Sequence, residues 1–81
     1  MLGNDEAKIS GYQIYRDGFD FVIQYNKNLG KIEVYNMTGQ LLKTFLSSGK
    51  IFRIFGSDLS LGAYIIRSDN SGDVRSKKII R

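Results

Sequence analysis

Along residues 8–81 apolar and polar side chains alternate almost without interruption, and short runs of Gly, Asn, Asp and Ser break the pattern every several residues. Alternation with period two puts successive side chains on opposite faces of an extended strand, so the chain reads as all-β. Residues 8–15 alternate weakly, with Tyr12 and Ile14 on one face. Arg16-Asp17-Gly18 is a turn, because Asp-Gly supplies the positive-φ position of a tight hairpin. Residues 19–25 then place Phe19, Phe21, Ile23 and Tyr25 on a single face, and residues 26–30 form a loop by composition. The cleanest strand is residues 31–36, with Ile32 and Val34 inward and Lys31, Glu33 and Tyr35 outward.

Asn36-Met37-Thr38-Gly39 is a four-residue turn with Gly39 at its left-handed position, and residues 40–45 return antiparallel. Residues 47–49 are a further loop, and residues 50–55 a strand with Phe52 and Ile54 facing in. Gly56-Ser57-Asp58 leads into Leu59-Ser60-Leu61, expected as a single helical turn capped by Ser57 or Asp58. Residues 63–69, a loop at 70–73 and residues 74–80 make a final hairpin. About seven short strands and no helix of ordinary length predict an immunoglobulin-like antiparallel β-sandwich. An up-and-down barrel fits the same alternation, because periodicity does not fix which edges pair.

A chain of 81 residues is one domain. At that size folding buries only about 60–65% of the surface the unfolded chain exposes, so the core must be thin. Five Phe and five Tyr within a 42% apolar composition supply it and leave little room for a substrate cavity. No apolar run is long enough to span a bilayer, so no membrane insertion is expected. Residues 1–7 lack a basic segment followed by an apolar one and are expected to be a flexible linker or expression remnant, with the domain at 8–81.

The chain has no Cys, His or Trp. This excludes the usual His/Cys metal sites, thiol nucleophiles and any imidazole-dependent triad, and no cofactor is expected. The eight acidic residues fall mostly in turns or on outward strand positions, so no carboxylate pair is expected to work as acid and base, and the chain is not read as an enzyme. The nine glycines are spread singly and form no phosphate loop. Asn70-Ser71-Gly72-Asp73 has too few carboxylates for a calcium loop and reads as a hairpin turn. Asn36-Met37-Thr38 matches the glycosylation sequon by chance in a tight turn.

Net charge is +4, yet the acids are scattered as far as Asp73, and only Arg75, Lys77, Lys78 and Arg81 are basic without compensation. A nucleic-acid surface would interleave such residues with exposed aromatics, whereas Tyr12, Tyr15, Tyr25, Tyr35 and Tyr64 are dispersed over different strands. No nucleic-acid partner is therefore expected. On its own, the basic segment reads as an edge strand whose lysines discourage aggregation, with dimerisation through an unprotected edge left open.

From Lys31-Ile32-Glu33-Val34-Tyr35-Asn36-Met37-Thr38-Gly39-Gln40 onward the chain resembles the C-terminal sorting domains of type IX (Por) secretion cargo from Bacteroidetes, in their type A, gingipain-like group. The resemblance rests on an alternating strand and a turn ending Gly39-Gln40, then the step Leu59-x-x-Gly62-x-Tyr64, then the closing Lys77-Lys78-Ile79-Ile80-Arg81. The Pro-rich entry common in the family is absent, and Leu61 stands where a Pro is common. The resemblance implies a folded sorting signal carried behind an N-terminal cargo domain. It would cross the periplasm, be recognised by shuttle proteins and the outer-membrane translocon, and be removed by a sortase-like surface protease as the cargo is anchored or released. Gly39, Leu59, Gly62, Tyr64, Lys77, Lys78, Ile79, Ile80 and Arg81 then carry the sorting motif. Within it, Gly62 and Tyr64 are expected to fold the hairpin, and residues 77–81 to display it. The alternative from another class is a non-catalytic immunoglobulin-like binding or adhesin module.

Overall fold

The computed structural model describes residues 11–81. The expected linker at 1–7 and the start of the first expected strand, residues 8–10, lie outside them. Seven strands follow in order: β1 (Gln13–Asp17), β2 (Asp20–Gln24), β3 (Gly30–Asn36), β4 (Leu41–Ser47), β5 (Ile51–Ile54), β6 (Ala63–Asn70) and β7 (Asp73–Ile80). A 3₁₀ turn, Gly56–Asp58, sits between β5 and β6.

The strands pair antiparallel in two sheets, β1-β2-β5 and β4-β3-β6-β7. The chain crosses between the sheets from β2 to β3, from β4 to β5 and from β5 to β6. The result is the expected immunoglobulin-like sandwich. Alternation explains why it closes: Phe21, Ile23 and Ile54 of the first sheet meet Ile32, Val34, Tyr64 and Ile66 of the second in one buried cluster. Ile14↔Ile23 and Ile23↔Phe52 are cross-strand neighbours, so the inner face of the first sheet is apolar across all three strands. Phe45 of β4 reaches Phe52 of β5 with ring centroids 5.1 Å apart and ties the two sheets along one side.

Three expectations are corrected by local geometry, and a fourth, the outward Glu33, holds but is not solvent-exposed. Phe19 does not face the core; it is 80% exposed. Gly18, at φ +65°, takes the first central position of a two-residue turn, so Phe19 becomes the second and sits at its tip. Glu33 does lie on the outer face but is 8% exposed, covered by its ion pairs with Arg67 at 2.7 Å and Lys31 at 3.8 Å. The helical turn lies at Gly56–Asp58 and not at residues 59–61, and no side chain caps it. Its position is set by Asp20, whose Oδ1 accepts from the Gly56 N–H at 2.8 Å. Finally, β4 starts at Leu41, after a register shift between Val34 and Tyr35.

Candidate functional site

β6 and β7 form the longest hairpin of the domain, eight residues on each side of Ser71-Gly72. Both turn residues have positive φ, +54° and +92°, which suits a two-residue turn between twisted strands. At the far end of the hairpin, Arg81 N–H donates to the Gly62 carbonyl at 2.8 Å. That bond sets the phase of the ladder. Opposed antiparallel pairs alternate between exchanging hydrogen bonds and exchanging none. The bonded pairs are therefore Tyr64/Ile79, Ile66/Lys77, Ser68/Arg75 and Asn70/Asp73. The remaining β7 residues, Val74, Ser76, Lys78 and Ile80, turn their main-chain N–H and C=O groups away from β6.

That outer edge has no strand beside it among the described residues. Among the described residues only the Ile80 carbonyl of this edge is taken, by an Arg16 guanidinium N–H at 2.8 Å. β7 is also barely embedded: of its eight residues, only Ile79 is buried. Among the described residues a three-stranded sheet faces a four-stranded one, and no strand lies over the inner face of β7 beside β1. There a groove of about 310 Å³ opens, lined by Tyr12, Val74, Arg75, Ser76 and Lys77.

Side chains fix one wall of this groove. Tyr12 packs edge-on against Tyr25, ring centroids 5.4 Å apart, and its hydroxyl shares a 2.8 Å hydrogen bond with Ser68 Oγ. Burial pushes the Tyr12 phenol above its ordinary pKa, and the Ser68 hydrogen bond opposes the shift only in part. The Tyr25 hydroxyl donates to Asp73 Oδ2 at 2.8 Å and accepts from Arg75 Nε at 2.9 Å, while Arg75 lies 3.4 Å from Asp73 Oδ1. Arg75 is thus anchored. Lys77 and Lys78 are exposed, and among the described residues neither forms a salt bridge.

The structure brings most of the motif residues to one pole. Leu59 is buried, and the Tyr64 hydroxyl donates to the Ser60 carbonyl at 2.7 Å, closing the 59–64 segment on itself. Gly62 sits at φ +152°, a conformation that side-chain-bearing residues rarely adopt. Gly39, at φ +90°, closes the β3–β4 turn, where its N–H donates to the Asn36 carbonyl at 3.0 Å. Asn36 is the register partner of Tyr64, so the Gly39 turn and the Gly62 entry share an end of the sheet. Ile79 packs in the core opposite Tyr64, whereas Ile80 is exposed. Arg81 is half-buried, and among the described residues its Nε has no hydrogen-bond partner.

Lys77 and Lys78 stand apart from that pole, along the strand, and on opposite faces of the sheet. Tyr12, Arg16 and Tyr25 also brace this hairpin. No local spacing could reveal them, since their contacts with the hairpin join residues 48 to 64 positions apart, except through the alternation that puts Tyr12 beside Ile14 on an inward face. Among the described residues no three His, Cys, Asp or Glu side chains gather to hold a metal, and no helix is long and apolar enough to cross a membrane.

Residues 19–81 match the family model described as the secretion system C-terminal sorting domain, from β2 through the whole β6–β7 hairpin. No curated protein matches the chain.

Proposed function

The chain belongs to the family of type IX secretion system C-terminal sorting domains, and we propose that it exports a cargo polypeptide by presenting β7 to the secretion machinery. The observation that carries this reading is the family match across residues 19–81. The family implies a sorting signal attached to a secreted or cell-surface cargo, and its members are generally non-catalytic.

The finer steps form our reading. The domain folds in the periplasm, shuttle proteins and the outer-membrane translocon recognise its last strand, and a sortase-like surface protease then detaches it from the cargo. The geometry supports a division of labour. Residues 11–12 enter the sandwich beside Asn26 and Ser68, near the Ser71-Gly72 turn, while Gly62 and Arg81 lie at the other end of the hairpin. A cargo joined ahead of β1 therefore hangs from one pole, and the motif residues gather at the other. Leu59, Gly62 and Tyr64 build the hairpin. Lys77 and Lys78 protrude from it.

The test is export itself. Residues 8–81, fused behind a periplasmic reporter in a host with a type IX system, direct the reporter to the cell surface or medium, and cell fractionation detects it there. A reporter that stays in the periplasm with the domain folded overturns the reading. A reporter that reaches the surface with the domain still attached favours the adhesin-like module over a cleaved signal.

A further inference from the structure

We propose that the outer edge of β7, unpaired among the described residues, binds an extended, acidic segment of a partner protein as an added β-strand, with the partner's carboxylates lying in the groove beside Tyr12. The inference rests on the sorting reading for what the partner is, and on geometry for how it binds.

Three observations carry it. First, the phase of the β6–β7 ladder leaves Val74, Ser76 and Lys78 with main-chain donors and acceptors pointing outward in one row. Such a row is a template for another strand. β7 is longer than the other sheet-edge strands β1, β4 and β5. Arg16 occupies the Ile80 carbonyl, which limits the template to the portion at residues 74–78.

Second, the charge along this row has one sign. Arg75 is clamped by Tyr25 and Asp73, while Lys77 and Lys78 have no acidic partner among the described residues. A strand laid about 4.8 Å away places its side chains directly against these cations, so acidic residues are favoured and basic ones repelled. The same argument disfavours a second copy of this chain as the occupant, because it would bring two basic strands into one seam.

Third, the groove gives the two faces of an added strand different surroundings. Side chains on the inner face meet Tyr12, Arg75 and Lys77 in a recess of about 310 Å³. Those on the outer face run past Ser76 and Lys78 into open solvent. The preferred segment therefore alternates, with Glu or Asp toward the groove.

The experiment uses the purified domain and a synthetic ten-residue probe of alternating Thr and Glu, with matched Thr/Gln and Thr/Lys peptides. Binding is followed by amide chemical shifts and hydrogen exchange. The Thr/Glu peptide binds saturably and protects the Val74, Ser76 and Lys78 amides, while the Thr/Gln and Thr/Lys peptides bind at least about tenfold more weakly. Ser76→Pro removes an outward donor without breaking the β6 ladder and abolishes binding. Lys77→Glu leaves the main chain intact and shifts the preference toward the Thr/Lys peptide.

Binding that survives Ser76→Pro in a folded domain, or that ignores peptide charge, overturns the proposal. So does a dimer whose formation Ser76→Pro removes, since the edge would then belong to a second copy. If Ser76→Pro unfolds the domain, Lys77→Glu decides alone. Full export by a Lys77→Glu reporter fusion that no longer binds the probe sinks this inference and leaves the sorting role standing; probe binding without export by the wild-type fusion does the reverse.

Discussion

The N–H of Arg81 donates to the carbonyl of Gly62 across 2.8 Å, so the last residue of the hairpin is tied to the glycine that starts it. Gly62 needs its φ of +152° to offer that carbonyl while Tyr64 turns into the core. Gly62→Ala has open space around its new methyl, the nearest atom being the Tyr64 hydroxyl at 4.0 Å, so its cost is conformational. We expect a loss of about 1–3 kcal/mol, measured by urea unfolding. An unchanged midpoint would remove Gly62 from the folding half of the motif.

Gly56 presents the opposite case, where space and not conformation forbids a side chain. A Cβ at residue 56 would overlap the Phe19 carbonyl oxygen. Gly56→Ala must push the β1–β2 turn off the 3₁₀ turn and strain the Gly56 N–H bond to Asp20. The expected cost is about 3 kcal/mol or more, seen as a fall in Tm, and a loss below about 1 kcal/mol would contradict this packing.

Tyr12 and Ser68 satisfy each other in a buried site. Ser68→Ala strands the Tyr12 hydroxyl and costs about 1–3 kcal/mol, whereas Tyr12→Phe together with Ser68→Ala costs less than the sum of the single changes. A double-mutant cycle by chemical denaturation checks this, and strict additivity would show that the two hydroxyls do not interact. The raised Tyr12 pKa also sets a limit at alkaline pH. The folded state favours the neutral phenol, so its contribution is complete below pH ~10 and is lost as pH rises further.

Acid acts through different groups. The Gly56 N–H, then Arg53, hold the Asp20 carboxyl below its ordinary pKa, and Arg67 does the same for Glu33. A lowered carboxylate pKa means the unfolded chain takes up protons first. These contributions are therefore complete above pH ~4 and disappear as pH falls below it. Asp20→Asn should flatten part of that acid limb in a Tm-against-pH series. An identical limb in the variant would count against it.

The strand pattern was legible because period-two alternation is a direct consequence of sheet geometry, and it holds for Phe21, Ile23, Ile32, Val34, Phe52 and Ile54. It failed where alternation runs on through a turn. Phe19 is in phase with Phe21 and Ile23, but the positive φ of Gly18 places the turn at residues 18–19, one residue later than the pattern shows. It also says nothing about what covers an outward face. Val22 is buried outside the main core cluster, between its register partners Tyr15 and Arg53, and Glu33 is buried under Arg67. At the site, Gly62, Tyr64 and the basic residues of β7 could be picked out locally. The groove could not, because it depends on which strand β1 leaves uncovered, and that is decided by pairing between residues far apart in sequence.

In the proposed function β7 is displayed for recognition while the rest of the hairpin holds it in place. Deleting residues 77–81 would also remove Ile79 from the core, so charge reversal is the cleaner probe. The direct measurement is the fraction of a reporter exported behind Lys77→Glu/Lys78→Glu, alongside the Tm of the purified variant. Both side chains are exposed, so we expect a Tm within a few degrees of wild type and a reporter retained in the periplasm. Export at the wild-type level from a folded variant would contradict it.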